Sequence, residues 1–240
     1  MAGVRSFLRI PLDFALPRRC AGCGQISVDE GRFCASCWQG LNLLPDTGCI
    51  LCNTPISLTG AVCGPCLAEP PRHDGVFAAV AYDEMARGLV LKLKYGRKPA
   101  IAAVMAAFLA RHARRDPDAV LVPVPLHRWR IWQRGFNQSL LIAREVARLT
   151  GQAVHPSAII RTKRTSPLGG FDPKARSREV QGAFRMDPAE ATFLKGRRVI
   201  LVDDVYTTGA TANACAGVLK RSGVTSVHIL CWARVIREEP

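Results

Sequence analysis

The residues best placed to do chemistry lie in the stretch VILVDDVYTTGAT, residues 199–211. Asp203 and Asp204 stand side by side at the end of an apolar run, and Thr207, Thr208, Gly209, Ala210 and Thr211 follow. Carboxylates at the buried end of a strand are costly unless something meets them: solvent, a cation, or a ligand rich in hydroxyls. The short polar loop opens a helix read over residues 212–222, with Gly223 as its stop. Amides and hydroxyls at a helix N-terminus suit a phosphate. Carboxylates for hydroxyls beside amides for a phosphate describe a sugar-phosphate site. The plainer reading is a polar strand–helix turn with a cap.

A second set is made of cysteines. Eight of the ten lie between positions 20 and 66, paired as Cys20/Cys23, Cys34/Cys37, Cys49/Cys52 and Cys63/Cys66 with gaps of 10, 11 and 10 residues. A C-x-x-C turn aims two thiolates at one point, and two turns complete a tetrahedral Zn²⁺ shell. Sequential sites are the first choice: Cys20, Cys23, Cys34 and Cys37, then Cys49, Cys52, Cys63 and Cys66. A single occupied site or interleaved pairing stays open, as do four disulfides in a secreted module. Closed four-cysteine sites have no open position, so one or two zinc ions would be structural. Cys215 and Cys231 read as core residues.

The third set follows VPVP, where Arg128, Arg130 and Arg134 precede Gly135-Phe136-Asn137-Gln138. Facing the carboxylates, these arginines would hold a second anion; otherwise they form a solvated basic loop.

Elements must position these groups. Val199, Ile200, Leu201 and Val202 form a run without alternation, as in a strand buried on both faces of a parallel sheet. Further strands are expected at 75–82, 119–125, 154–160 (weaker) and 225–234, and helices at 84–94, 100–114 and 137–149. This alternation predicts an α/β fold with a mostly parallel sheet flanked by helices, ligands binding at the C-terminal strand ends. Residues 161–184 carry Gly169-Gly170 and no clear periodicity. They read as a lid, with a disordered basic insertion as the alternative. Residues 1–19 are expected as an amphipathic lead-in helix rather than a signal peptide, 20–71 as a zinc-ribbon module, and 72–240 as the α/β domain.

The chain has 240 residues and a net charge of +14. Residues 1–71 hold five arginines and five acidic residues, so the whole excess falls on residues 72–240, with 28 basic and 14 acidic. A basic field there suits a phosphorylated ligand or a nucleic acid. No apolar run approaches the roughly 20 residues of a membrane helix, so no membrane insertion and a cytoplasmic location are expected.

VILVDDVYTTGAT resembles the phosphoribosyl pyrophosphate (PRPP) motif of type I phosphoribosyltransferases. Together with VPVP…RGFNQ, LKLKYG (residues 91–96) and the leading double zinc ribbon, it makes the chain similar to the ComF/ComFC family, competence-associated phosphoribosyltransferase-like proteins. The resemblance runs from about Cys20 to the C-terminus. It implies a type I phosphoribosyltransferase-like fold behind a small zinc-ribbon module. Asp203 and Asp204 would be catalytic and hold the ribose 2′ and 3′ hydroxyls. Thr207, Thr208, Gly209, Ala210 and Thr211 would bind the 5-phosphate, Lys94 and Arg134 the pyrophosphate with its Mg²⁺, and residues 161–178 would close over the site. The implied role is in DNA uptake during natural transformation, with single-stranded DNA and a competence helicase or other uptake proteins as partners.

Two positions depart from the family pattern: Leu168 stands where Gln is usual, and Glu179 where Asn is. Both lie in the expected lid, so they bear on turnover more than on PRPP binding. Two functions follow. One is transfer of a phosphoribosyl group to an unread acceptor. The other is a single-stranded DNA-binding module with Trp129, Trp132 and Phe136 among its arginines. A zinc-ribbon scaffold for partner proteins is a third reading with no specific residue behind it.

Overall fold

The computed structural model describes residues 19–27, 33–96, 98–163 and 173–236. The expected lead-in helix, Leu168 and most of the expected lid lie outside them. The cysteine-rich segment contributes two single-turn helices, α1 (Ala35–Gln39) and α2 (Gly64–Ala68). The rest reads β1 (Gly75–Ala81), α3 (Glu84–Lys94), α4 (Ala100–Ala113), β2 (Val120–Pro123), α5 (Arg128–Arg134), α6 (Gln138–Thr150) and β3 (Ile159–Arg161). Then come α7 (Pro173–Val180), β4 (Phe184–Met186), α8 (Pro188–Leu194), β5 (Arg198–Tyr206), α9 (Ala210–Arg221) and β6 (Ser226–Arg234).

Four strands form one sheet in the order β1-β6-β5-β2, every pair parallel. Unbroken apolar runs suit it because both faces are covered. Ile200, Val202, Leu230 and Trp232 point to one face, where they meet Leu89 and Leu93 of α3, Met105 and Leu109 of α4, and Ile142 and Val146 of α6. Val199, Leu201, Ile229 and Cys231 point to the other, against Cys215 and Leu219 of α9 and Leu194 of α8. Cys215 and Cys231 are fully buried core residues, as their apolar surroundings in the sequence suggest.

Three details differ from the sequence reading. β5 does not end at the aspartates but runs through them to Tyr206, paired with β6 over its whole length. The arginine-rich stretch after VPVP is a helix, α5, rather than a loop. Of the weak strand at 154–160, only Val154 reaches the sheet, as a lone bridge to Leu121, while Ile159–Arg161 pairs with β4 in a separate antiparallel hairpin. The described end of the expected lid, α7, packs through Val180 onto the α9 face.

The cysteine-rich segment covers the outer edge of β1. Leu44 N–H donates to Ala79 and Ala81 N–H donates to the Asn42 carbonyl, at 3.0 and 2.9 Å. An edge strand is thereby closed to further pairing. Cys20, Phe33, Cys37 and Leu41 join the same core cluster as Trp232.

Candidate functional site

The site forms where β5 gives way to α9. Gly209 is the residue before the helix, with φ of 78°, a left-handed backbone that favours glycine. A Cβ there would collide with the Tyr206 hydroxyl, so the close approach excludes a side chain as well. The N-cap residue of α9, Gly209, has no side chain to offer, and the turn borders a concavity lined by Asp203, Thr207, Thr208, Thr211 and Val124. Thr208 Oγ1 accepts from Ala210 N–H at 3.4 Å. Tyr206 is fixed from behind by His73, whose Nε2 lies 3.0 Å from the phenol oxygen. Burial holds the His73 imidazole down at about 4, so it is neutral.

The two aspartates have different surroundings. Asp204 is buried and ion-paired with Lys94 Nζ at the end of α3. Burial alone would lower the Lys94 pKa, but the Asp204 charge and hydrogen bond lift it, so the lysine stays cationic. Asp203 faces the concavity, and its Oδ1 accepts from Ser139 Oγ at 3.0 Å and from Asp204 N–H at 2.9 Å. Burial and then the adjacent Asp204 charge push its carboxyl up to about 7.

Arg134, at the end of α5, donates to Gln138 Oε1 at 3.2 Å and to the Tyr95 hydroxyl at 3.1 Å, and lies over the Tyr95 ring at 5.0 Å. Tyr95 follows Lys94 in sequence, so the two cations expected to face a pyrophosphate share one corner. The rest of the RGFNQS block is structural support. Gly135 ends α5 with a φ of 83°. Asn137 caps α6 by accepting from Ser139 and Leu140 N–H, and donates to the Val124 carbonyl at 3.0 Å. That bond ties the β2 exit to the helix carrying Ser139.

Sequence reasoning missed two residues here. Ser139 could have been found only from its place two residues after the cap Asn137, where its hydroxyl reaches Asp203. Arg161 ends the apolar run of β3 and is buried, its guanidinium 5.2 Å from the Phe184 ring centre. Burial and then the Arg130 charge lower its pKa, while Asp203 and Glu179 act in the opposite sense. A charge ending an apolar run was the available signal.

The eight ribbon cysteines gather into two sets, Cys20/Cys23/Cys34/Cys37 and Cys49/Cys52/Cys63/Cys66, the ligand atoms of each within 4.8 Å of one another. No cysteine is in a disulfide. Zn–S bonds of about 2.3 Å imply tetrahedral S···S edges of about 3.8 Å. Cys23–Cys34 is 3.8 Å and Cys52–Cys63 is 3.6 Å. In each ribbon an N–H from the second knuckle donates to a sulfur of the first, Cys34 to Cys20 and Cys63 to Cys49, both at 3.3 Å. The residues fit two structural zinc ions, and the sequential pairing is the one adopted.

A family model for the double zinc ribbon domain matches residues 11–67. The DNA utilization protein YhgH of Escherichia coli K12 is 32% identical over 198 residues, spanning 79% of this chain and 85% of that protein. The chain belongs to the ComF/ComFC family. Competence protein F of Haemophilus influenzae, 29% identical, covers 90% of this chain and 96% of its own length. Among solved structures, the purine phosphoribosyltransferase of Pyrococcus horikoshii matches 58% of this chain and 84% of that one, at 19% identity and a TM-score of 0.30. In this ComF/ComFC protein the strand–loop–helix turn described above sits on a four-stranded parallel sheet in the order β1-β6-β5-β2. Among the described residues, no helix is long and apolar enough to cross a membrane.

Proposed function

We propose that this ComF/ComFC protein binds PRPP at the β5–α9 turn and serves DNA utilisation of the competence type. The observation that carries this reading is the glycine-led first turn of α9 beside the Asp203 carboxyl, whose pKa is raised. Amides await a 5-phosphate, and Asp203 gains from ribose hydroxyls or a cation. Asp204 is ion-paired with Lys94 beside it. Arg134, and Lys94 once the ribose engages Asp204, would meet the pyrophosphate. Asp203 is a hard oxygen donor suited to Mg²⁺, which would neutralise the leaving pyrophosphate. Transfer of the phosphoribosyl group to an acceptor would then rest on positioning and electrostatics, since among the described residues no activated nucleophile lies in the site.

Titration calorimetry with PRPP and Mg²⁺ tests the reading. Wild type binds in the micromolar range, and Asp203→Asn/Asp204→Asn binds at least tenfold more weakly. No heat from folded, zinc-loaded wild type would overturn it.

A second activity is favoured by α5, which buries none of its residues and leaves Trp132 82% exposed. With Arg128 and Arg130 alongside, it suits stacking and backbone contacts with single-stranded DNA. Trp132→Ala should weaken binding of an oligothymidylate by about 1–3 kcal/mol. Asp203→Asn should leave it unchanged, and wild-type affinity should fall steeply with salt. Affinity indifferent to both Trp132 and salt would remove α5 from DNA handling.

A further inference from the structure

Arg234 ends β6 and is only 8% exposed. Its Nε and Nη1 are buried without a hydrogen-bond partner, and among the described residues it forms no ion pair with a carboxylate. Its Nη2 donates to Thr54 Oγ1, and its guanidinium lies over the Tyr206 ring at 5.2 Å. A guanidinium cannot shed its proton, and taking it out of water is expensive unless an opposite charge answers it. A ring face offsets only part of that cost.

The missing charge lies one hydroxyl away. Thr54 Oγ1 is 3.3 Å from Cys52 Sγ, a member of the second four-cysteine set. Zn²⁺ with four thiolates carries a formal charge of −2. A zinc-bound Cys52 thiolate has no proton to give and can only accept, so with zinc in place the threonine hydroxyl, which accepts from Arg234, would direct its own proton at the Cys52 sulfur. The direction of donation therefore runs from guanidinium to hydroxyl to thiolate. The first ribbon supplies an internal comparison. Ser36 Oγ is also 3.3 Å from a ligand sulfur, that of Cys34, but this pair is exposed to solvent. The basic residues there donate to backbone carbonyls instead, Lys92 to Ala21 and Gly22 and Arg19 to Gly24.

We propose that Arg234, acting through Thr54, is a positioning residue that supplies the counter-charge of the zinc tetrathiolate at Cys49, Cys52, Cys63 and Cys66. The same guanidinium covers Tyr206, whose hydroxyl fills the space under Gly209. One residue thus touches the surroundings of the second zinc and the floor of the anion loop.

The test follows zinc release from the full chain, loaded with two equivalents, to a chromogenic chelator. Arg234→Met should speed release of one equivalent by about 10–100-fold and leave the other unchanged. Thr54→Val, which keeps the arginine and deletes only the hydroxyl, should act in the same direction. Arg234→Lys should restore much of the retention, which a packing role would not. In the cobalt-substituted protein, the thiolate-to-metal charge-transfer band should move in Arg234→Met and stay in Arg234→Lys. Wild-type release from Thr54→Val, or equally fast release from Arg234→Lys and Arg234→Met, would overturn the assignment. If Arg234→Met does not fold, Thr54→Val decides alone.

Discussion

Burial and the charge of Asp204 both oppose ionisation of Asp203, and they lift its carboxyl to about 7. An unfolded aspartate titrates near 3.9. Between those values the native state holds a proton that the unfolded state has lost, so this group makes stability fall as pH rises from about 4 to about 7. Asp203→Asn keeps an acceptor for Ser139 and removes the titration. It should therefore be more stable than wild type at pH 8, on the order of 2 kcal/mol once screening by solvent is allowed for, and show little gain at pH 4. Urea unfolding at the two pH values checks this. A gain of the same size at both would mean that Asp203 is not the titrating group. The same substitution is expected to lose PRPP, so stability and ligand binding would move in opposite directions at one residue.

At the scale of elements, the proposed recognition falls to the strand-to-helix turn. β5 carries the aspartates in extended backbone, and only the left-handed residue at Gly209 lets α9 start close enough to place its first amides beside them. Gly209→Ala would force a methyl against Tyr206 and strain a backbone held at φ of 78°. The expected cost is about 1–3 kcal/mol of stability, with PRPP affinity falling at least tenfold. Chemical denaturation and calorimetry on one preparation measure both. Unchanged affinity would show that the first turn of α9 is not the phosphate cradle. The RGFNQS block works at the same scale: its glycine ends one helix, its asparagine starts the next, and its serine reaches Asp203.

At the scale of the whole molecule, the ribbon segment and the sheet share a core. Cys20, Phe33, Cys37 and Leu41 pack in the cluster that contains Trp232, and Asn42 and Leu44 close the β1 edge. Asn53, with its left-handed φ of 59°, accepts from Ala78 N–H at 3.1 Å and adds a second bridge. Stripping both zinc ions should therefore destabilise the full chain, not only its first 71 residues. The expectation is a lower Tm for the near-ultraviolet signal of the buried Trp232 as well as for the ribbons. A Trp232 transition unmoved by chelation would show that the sheet folds without them.

Much of this was legible before folding was considered. The C-x-x-C spacing specifies metal turns because a four-residue loop fixes where its two sulfurs aim. The run at 199–202 announces a strand covered on both faces, since a solvated face would demand alternation. The DD–TTGAT order announces a charged strand followed by the turn into a helix. Tertiary structure alone decided which groups meet across the chain. It separates Asp203 from Asp204 by giving one a serine 64 residues away and the other Lys94, which neither local pattern contains. It turns the arginine stretch into a helix whose end meets Tyr95. It also brings Arg234 to Thr54, 180 residues apart. Spacing along a chain governs local geometry, but a charge finds its partner only when the sheet has brought distant strand ends to one edge.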